Sequence, residues 1–269
     1  MFTDSHCHLS FPELHEQLPA ILDAMQQAQV DRALCICTTL EEFDDVHALA
    51  TGHAQLWSTV GVHPDNEGVR EPTLDDLLTR AALPRVVGIG ETGLDYYRLN
   101  GRSVADMDWQ RDRYRIHIEA GRQTDLPLVI HTRSASDDTL AILREAGGLG
   151  SGANGGLPSS RGVFHCFTET EAVARAALDL GFYISFSGIL TFRNAADLRE
   201  VARFVPLDRT LIETDSPYLA PVPYRGKTNN PSYVPHVAQQ IADIKGVPVE
   251  AVARATSANV DRLFTRMRA

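Results

Sequence analysis

The sequence predicts an α/β fold, a (β/α)8 barrel of the TIM type that residues 1–269 form as a single domain. Three observations predict it. Eight short apolar runs rich in β-branched and aromatic residues recur along the chain. They recur at intervals of roughly 20 to 40 residues, which fits one crossover helix with two short loops. No linker-like segment interrupts this alternation, and eight such units are typical of a closed barrel.

The eight runs are predicted to be strands because each is short, mostly apolar and followed by polar or turn-forming residues. In chain order they are FTDSHCH, RALCICTT, LWSTVGVH, RVVGIGE, LPLVIH, GVFHC, FYISFSG and TLIETD. Their expected ends are His8, Thr38, His63, Glu91, His131, His165, Ser187 and Asp215.

The segments between the runs are predicted to be helices. PELHEQLPAILDAMQQAQ and ADLREVARFV carry apolar residues at three- and four-residue spacing, as an amphipathic helix requires. Pro19 is expected to kink or split the first of them. Residues 147–160 (GGLGSGANGGLPSS) are predicted to form a flexible glycine-rich insertion, and residues 216–235 a long loop. Residues 232–267 show a helical pattern again.

Charge and composition limit the classes of function. The net charge of −10 argues against non-specific coating of nucleic acid, because that binding depends on Lys and Arg that neutralise phosphates. An enzyme acting on nucleic-acid ends is still compatible with this charge. No signal peptide and no membrane-spanning apolar run is recognisable, so a cytoplasmic location away from the membrane is expected. Nothing in the sequence indicates an obligate protein partner.

The stretch TDSHCHLS places His6 and His8 two residues apart. In a strand, such residues point to the same face, and two converging imidazoles suit a metal ion better than an apolar core. Other predicted strands also end in ligand-type residues. Because functional groups of a barrel gather at the carboxyl ends of its strands, we expect one metal-binding cluster. Its candidate members are His6, His8, Glu91, His131, His165 and Asp215.

Four histidines and two carboxylates exceed what one tetrahedral ion requires. They fit two divalent ions that share a bridging carboxylate. Two ions about 3.5–4 Å apart can stabilise both the attacking and the leaving oxygen of a phosphodiester. Mixed imidazole and carboxylate ligands are compatible with Zn²⁺, Mn²⁺ or Mg²⁺, so the sequence predicts two divalent ions per chain without fixing their identity.

Three further residues are candidates at the barrel mouth. His63, in GVHP, could orient a ligand, shuttle protons or simply pack. Arg133 follows the fifth strand and could hold a phosphate through its planar guanidinium, although a salt bridge to a nearby aspartate is the plain alternative. Arg225, in the loop after the eighth strand, is a second candidate for phosphate binding.

The segment ETGLDYY also carries open alternatives. Asp95 could support the metal ligands, or it could cap a helix. Tyr96 and Tyr97 could stack a nucleobase at the mouth, or they could pack on the outside of the barrel.

These residues lie in segments that resemble the TatD family of metal-dependent deoxyribonucleases, and its YcfH branch in particular. The matching segments are DSHCHL, GVHP, GETGLDYY, PLVIHTRSASDDTLAIL, FHCFTE, GFYISFSGILTFRNA and ETDSPYLAPVPYRGKTNNP. The resemblance runs nearly end to end and is interrupted mainly at 147–160. Thr3 and Ser10 depart from the family pattern, but neither is a ligand type that the site needs.

The resemblance implies a TIM barrel with a binuclear site in a metal-dependent hydrolase. It assigns the first metal to His6, His8, Glu91 and Asp215. It assigns the second metal to Glu91, His131 and His165, with Glu91 as the bridge. The implied substrate is DNA, single-stranded or at its ends, and the implied activity is that of a 3′→5′ exonuclease that uses a metal-activated water.

On this interpretation the catalytic residues are Asp215, Glu91 and His63. Asp215 would act as the general base or orient the water, and His63 would protonate the leaving oxygen. Arg133 would help the metals to stabilise charge on the phosphate oxygens.

Two alternatives stay open at this stage. The same site could hydrolyse a small ester, amide or aminoacyl bond in the manner of an amidohydrolase, which the negative net charge favours. The chain could instead be a metal-bound interaction scaffold without catalysis, although ligand-type residues on most of the predicted strands argue against this.

Overall fold

The computed structural model describes residues 1–146 and 160–268, so the predicted insertion lies outside the described residues except for its last position. Eight strands form one sheet. They are β1 (Phe2–Cys7), β2 (Val30–Cys35), β3 (Leu56–Val60), β4 (Val86–Asp95), β5 (Leu128–Arg133), β6 (Gly162–Phe164), β7 (Tyr183–Phe186) and β8 (Thr210–Ile212). Neighbours in the sheet follow chain order from β1 to β8, and every ladder is parallel. The predicted (β/α)8 barrel is confirmed.

Backbone hydrogen bonds just beyond β8 close the sheet against β1. The Asp215 N–H donates to the His6 carbonyl oxygen at 2.9 Å, and the His8 N–H donates to the Ser216 carbonyl oxygen at 2.9 Å. The Ser5 hydroxyl also donates to the Ile212 carbonyl oxygen at 3.0 Å. The two edges of the sheet therefore meet directly beside His6 and His8.

Helices follow the strands as the apolar periodicity predicts. The described residues contain α1 (Pro12–His15), α2 (Leu18–Gln27), α3 (Phe43–Gly52), α4 (Leu74–Ala81), α5 (Asp108–Thr124), α6 (Ser136–Glu145), α7 (Glu171–Asp179), α8 (Ala196–Phe204), α9 (Val234–Lys245) and α10 (Val249–Leu263). The first predicted helix is split into α1 and α2, and Pro19 lies in the first turn of α2. Proline is tolerated there because the first N–H groups of a helix have no intrahelical partner.

The lumen of the barrel is packed with apolar side chains. Seven strands, β2 to β8, each contribute to one buried cluster, and only the lumen adjoins all of them. The strand residues of this cluster are Leu34, Trp57, Val87, Val129, Val163, Tyr183 and Leu211. Side chains alternate along a strand, so His131, two residues after Val129, also points into the lumen.

The C-terminal segment closes the barrel at the amino ends of the strands. Val260, Leu263, Phe264 and Met267 belong to the same buried cluster as the lumen residues. The Arg266 guanidinium donates to the Ala81 carbonyl oxygen at 2.8 Å, just before β4. The lumen is thus open to solvent at the carboxyl ends of the strands. No helix in the described ranges has both the length and the apolar character needed to cross a bilayer.

Candidate metal centre

A cavity of ≈ 700 Å³ lies at the carboxyl ends of the strands. Five of the six predicted metal ligands line it, and His6 lies beneath them, fully buried. The predicted ligands lie within β1, β4 and β5 or at most three residues after a strand end. Strand ends are rigid supports, which a metal site needs.

Glu91 is the centre of the cluster, and its two carboxylate oxygens face different groups. Oε2 lies 3.3 Å from His6 Nε2 and 4.0 Å from His8 Nε2. Asp215 completes this first group, because its Oδ1 lies 3.4 Å from His8 Nε2 and 3.6 Å from His6 Nε2. Three imidazole or carboxylate residues thus converge near one oxygen of Glu91.

The other oxygen of Glu91 faces the second group. Oε1 lies 2.7 Å from His165 Nε2, 3.3 Å from His131 Nδ1 and 3.2 Å from His63 Nε2. The His63 Nδ1 accepts a hydrogen bond from the Asp65 N–H at 3.0 Å, which directs Nε2 to Glu91. His63 therefore joins the second group, a position that the sequence left open.

Burial and the surrounding imidazoles set the charge of the cluster. Burial alone raises the pKa of Glu91, but His165, His63 and His6 outweigh it and hold the pKa well below its ordinary value. Burial and the neighbouring His165 lower the pKa of His6. The His6 and His165 rings stack with centroids 3.9 Å apart and planes 7° from parallel. Burial lowers the pKa of His165 as well, but Glu91 and Glu213 outweigh it and raise that pKa well above its ordinary value, so a cation would have to displace a proton from His165 to bind its neutral form.

The donor set fits divalent cations. Each of three groups places one ligand atom per residue within 4.8 Å of the others: His6, His165 and Asp215; His6, His8 and Glu91; and His63, Glu91 and His131. Within the described residues, His165 Nε2 is buried without a hydrogen bond, although it lies 2.7 Å from Glu91 Oε1. A buried nitrogen left unpaired costs free energy. A shared cation would satisfy both atoms.

Two buried carboxylates orient the histidines from behind. Asp95 Oδ2 lies 3.1 Å from His131 Nε2, and Glu213 Oε1 lies 3.3 Å from His165 Nδ1. Such carboxylate–imidazole pairs fix the ring orientation of metal ligands and raise their basicity. Asp95 ends β4 and accepts the Tyr97 N–H at 2.8 Å, so the helix-cap alternative for Asp95 is wrong.

Asp4 supports the cluster from below, and sequence reasoning missed it together with Glu213. Asp4 is fully buried and accepts hydrogen bonds from the Thr214 N–H at 2.9 Å and the Thr214 hydroxyl at 2.5 Å. The only signal in the sequence is position, because Asp4 precedes His6 by two residues and Glu213 precedes Asp215 by two. In strands that spacing places the side chains on one face.

The two arginines predicted to bind phosphate differ in their position relative to the cavity. Arg133 lines the cavity, and its guanidinium lies 3.6 Å from the centre of the Tyr97 ring. Arg225 is not among the lining residues. Its guanidinium stacks on Phe192 at 3.6 Å and donates to the Ala220 carbonyl oxygen at 3.1 Å. Tyr96 is buried and donates to Asp138 at 2.7 Å, so it is unavailable to a ligand in the cavity.

Helix α5 holds the loop that carries His63. Arg113 is buried and donates to the carbonyl oxygens of His63 at 2.8 Å and Asn66 at 2.9 Å. His117, fully buried, accepts the Val62 N–H through Nε2 at 3.0 Å and donates from Nδ1 to the Arg113 carbonyl oxygen at 2.8 Å. This arrangement requires a neutral imidazole, and burial lowers the pKa of His117 to about 4.

His117 should make stability depend on pH. Its pKa is about 4 in the folded chain, whereas the ordinary value that holds in an unfolded chain is 6.5. The contribution of neutral His117 to the free energy of unfolding is therefore complete above pH 6.5 and is lost as the pH falls toward 4. Between pH 7.5 and 5.5 we expect wild type to lose about 1.4 kcal/mol of unfolding free energy relative to His117→Gln. Urea titration at both pH values measures this, with His15→Gln at an exposed helix position as control. Equal pH slopes in wild type and His117→Gln would contradict the assignment.

The sequence of this chain is similar to those of known metal-dependent hydrolases. A family model described as TatD related DNase matches residues 3–265. A metal-dependent hydrolase named YcfH, from Escherichia coli (strain K12), is 46% identical over 265 residues, which cover 97% of this chain and 94% of YcfH. A protein named 3′-5′ ssDNA/RNA exonuclease TatD, from Citrobacter rodentium (strain ICC168), is 34% identical over 243 residues, 88% of each chain.

Solved structures give the same answer for the fold. The crystal structure of YJJV, a TatD homolog from Escherichia coli k12, superposes with a TM-score of 0.87 at 27% sequence identity and covers 98% of both chains. The similarity therefore extends over the whole barrel and includes the strands that carry the cluster.

Proposed function

The chain belongs to the TatD family of metal-dependent hydrolases, and from that premise we propose that it hydrolyses phosphodiester bonds of DNA at a binuclear metal site, as a 3′→5′ exonuclease on single-stranded DNA or at DNA ends. One observation carries the proposal. The two oxygens of the buried Glu91 face two different groups of ligand-type residues, which is the arrangement of a carboxylate that bridges two cations. The relative from Citrobacter rodentium, by its name an exonuclease, supports the choice of substrate.

The ligands divide between two cations according to the oxygen of Glu91 that they face. His6, His8 and Asp215 would hold one cation, and His131 and His165 the other. When bound, two divalent cations lower the pKa of a water molecule and neutralise charge on the phosphate. The remaining roles belong to side chains of this protein.

Asp215 would accept the proton of the attacking water. Its carboxylate lies at the edge of the cavity, and although burial raises its pKa, the hydrogen bond from His8 and the nearby imidazoles outweigh burial and lower it. Asp215 is therefore ionised and able to orient the water before the proton moves. His63 would donate a hydrogen bond from Nε2, the nitrogen that its contact with the Asp65 N–H leaves protonated, and so stabilise charge on the leaving oxygen; for it to protonate that oxygen, as the sequence predicts, the ring would first have to take up a second proton from water.

Arg133 would bind a non-bridging phosphate oxygen. Its guanidinium lines the cavity, and within the described residues it makes no hydrogen bond to another side chain; the nearest carboxylate, on Asp95, is 3.9 Å away. A guanidinium that is charged but not fully paired suits a phosphate. Arg225, which is exposed in the loop after β8 and is not among the lining residues of the cavity, would contact a phosphate farther along the DNA strand.

A direct assay tests the proposal. Protein freed of metal by a chelator should leave end-labelled DNA intact, and added Mg²⁺, Mn²⁺ or Zn²⁺ should restore stepwise shortening from the 3′ end. Product sizing on single- and double-stranded DNA reads out polarity and strand preference. A panel of small esters, amides and aminoacyl compounds runs in parallel. Metal-dependent cleavage of that panel without cleavage of DNA would favour the amidohydrolase alternative, and activity indifferent to chelation would refute the metal site.

A further inference from the structure

The cavity above the metal centre has two chemically different sides. One side is formed by Phe11 and Tyr218, which we call the aromatic wall. The other side carries the guanidinium of Arg133. A volume of ≈ 700 Å³ is within the range of pockets that hold a whole small-molecule ligand. The cavity therefore has room for more of a substrate than the phosphate at its floor.

Phe11 connects the aromatic wall to the metal centre. Its ring stacks on the imidazole of His8, with centroids 4.8 Å apart and planes 17° from parallel. Tyr218 meets Phe11 edge to face, with centroids 6.3 Å apart at 74°. The aromatic wall therefore begins at a predicted metal ligand and continues to the rim of the cavity. A flat group bound to the wall could belong to the same substrate molecule as a phosphate bound at the cations.

Tyr218 is held firmly at its backbone while its side chain is open. The Tyr218 N–H donates to the Asp215 carbonyl oxygen at 3.0 Å. The fully buried Asn229 donates from its side-chain amide to the Tyr218 carbonyl oxygen at 2.6 Å and to the Thr214 carbonyl oxygen at 2.9 Å. Yet 54% of Tyr218 is exposed. A large aromatic side chain that is exposed on a fixed backbone provides a preorganised surface for a ligand.

The alternatives for an aromatic contact are less suitable. Tyr96 is buried and bonded to Asp138. Tyr97 is 60% exposed, but one face of its ring is covered by the guanidinium of Arg133 at 3.6 Å. Tyr97 thus positions Arg133, and Tyr218 is the aromatic residue that is free to stack at the cavity.

We propose that the aromatic wall of Phe11 and Tyr218 is a base-binding subsite, which stacks one unpaired nucleobase of single-stranded DNA while the adjoining phosphate lies at the metal centre and Arg133 neutralises its charge. This inference rests on the proposed function and explains why the enzyme would prefer single-stranded to double-stranded DNA. Stacking tolerates every base because each has a π face. A base in a duplex has its faces and edges occupied, so only an unpaired or frayed nucleotide can enter.

The test compares DNA with an oligomer that has the same phosphodiester backbone but tetrahydrofuran in place of every base. In Tyr218→Leu we expect KM for single-stranded DNA to rise about 10-fold, the loss that follows from one base–aromatic stack. Cleavage of the base-free oligomer should stay at the wild-type rate. Tyr218→Phe, which keeps the ring, should behave as wild type, and Val222→Ala controls for a change at an exposed residue of the same loop.

Binding is measured separately from catalysis. Two single-stranded oligonucleotides serve as probes, one with 2-aminopurine at the 5′ end and one with it at the 3′ end. Their phosphorothioate linkages slow cleavage, and stacking of the 2-aminopurine is detected as a loss of its fluorescence. Wild type and Tyr218→Phe should quench it, and Tyr218→Leu should not.

The outcomes separate the two proposals. If wild type cleaves DNA and Tyr218→Leu does so with unchanged KM and unchanged quenching, the subsite is wrong and the proposed function stands. An equal loss on DNA and on the base-free oligomer would also overturn the subsite, because the defect would then lie in the backbone. If wild type cleaves neither oligomer, the proposed function fails and the subsite fails with it.

Discussion

Replacing Glu91 by Gln should abolish metal-dependent hydrolysis of DNA, a loss of at least about 10³-fold in kcat/KM. The amide has the same shape as the carboxylate, but it carries no charge and cannot bridge two cations. Since Oε1 and Oε2 each face a separate group of histidines, both sites are weakened at once. Metal analysis after dialysis should give two ions per chain in wild type and at most one in the variant.

Two controls make this result specific. Glu200→Gln removes the same charge from an exposed position on α8, where it pairs with Arg203, and should leave metal content and hydrolysis unchanged. His131→Ala removes a ligand from the second group alone and should also abolish hydrolysis. Circular dichroism must show that each variant folds. Full activity with two bound ions in folded Glu91→Gln would exclude a bridging role.

Substituting Ala at Gly93 should destabilise the protein by about 3 kcal/mol or more. Gly93 lies on β4 directly opposite His131 on β5. A Cβ there would lie 1.9 Å from the His131 carbonyl oxygen, and the φ angle of +130° is one that side chains other than glycine rarely adopt. The strands would have to separate at the position that sets Glu91 against His131, so metal affinity should fall together with stability.

Gly226→Ala is the matched control for Gly93. Its φ is +80°, but among the described residues no atom beyond its two chain neighbours lies within 4 Å of the added Cβ, so only the backbone conformation is penalised, by about 1–2 kcal/mol. Urea unfolding and metal titration of both variants measure the difference. A Gly93→Ala protein as stable as Gly226→Ala would mean that the close approach of β4 to β5 is not required. Failure to obtain folded Gly93→Ala, with Gly226→Ala folded, agrees with the expectation.

The barrel was predictable because buried parallel strands have a local signature. Each is a short apolar run, and the intervals between runs fit one helix each. The ligand-type residues were predictable for a related reason, since strand ends in a barrel share one rim whatever the details of packing. His6 and His8 needed only the alternation of a strand.

The supporting residues could not be predicted in the same way, because their roles depend on contacts between distant segments. Asp4 supports the cluster only after closure of the barrel brings it to Thr214. The sequence left two roles open for Asp95, and the pairing of β4 with β5, which brings Asp95 to His131, decides between them. Tyr218 resembles any loop tyrosine in the sequence, and its exposure at the cavity follows from the hydrogen bonds of Asn229. Sequence reasoning offered Tyr96 and Tyr97 as candidates for stacking and left their packing on the outside of the barrel equally open.

The closure of the sheet between β1 and the segment after β8 determines when, during synthesis, the proposed metal centre can form. His6 and His8 leave the ribosome first, whereas Asp215, to which they are joined across the seam, is translated 200 or so residues later. Contacts of such long sequence separation form slowly. A nascent or truncated chain that lacks the last strand therefore carries every imidazole of the cluster but neither Asp215 nor the seam that holds His6 and His8 against it. Uptake of both cations should thus mark the end of folding, and a ribosome-bound chain stalled before residue 210 should not retain the full pair.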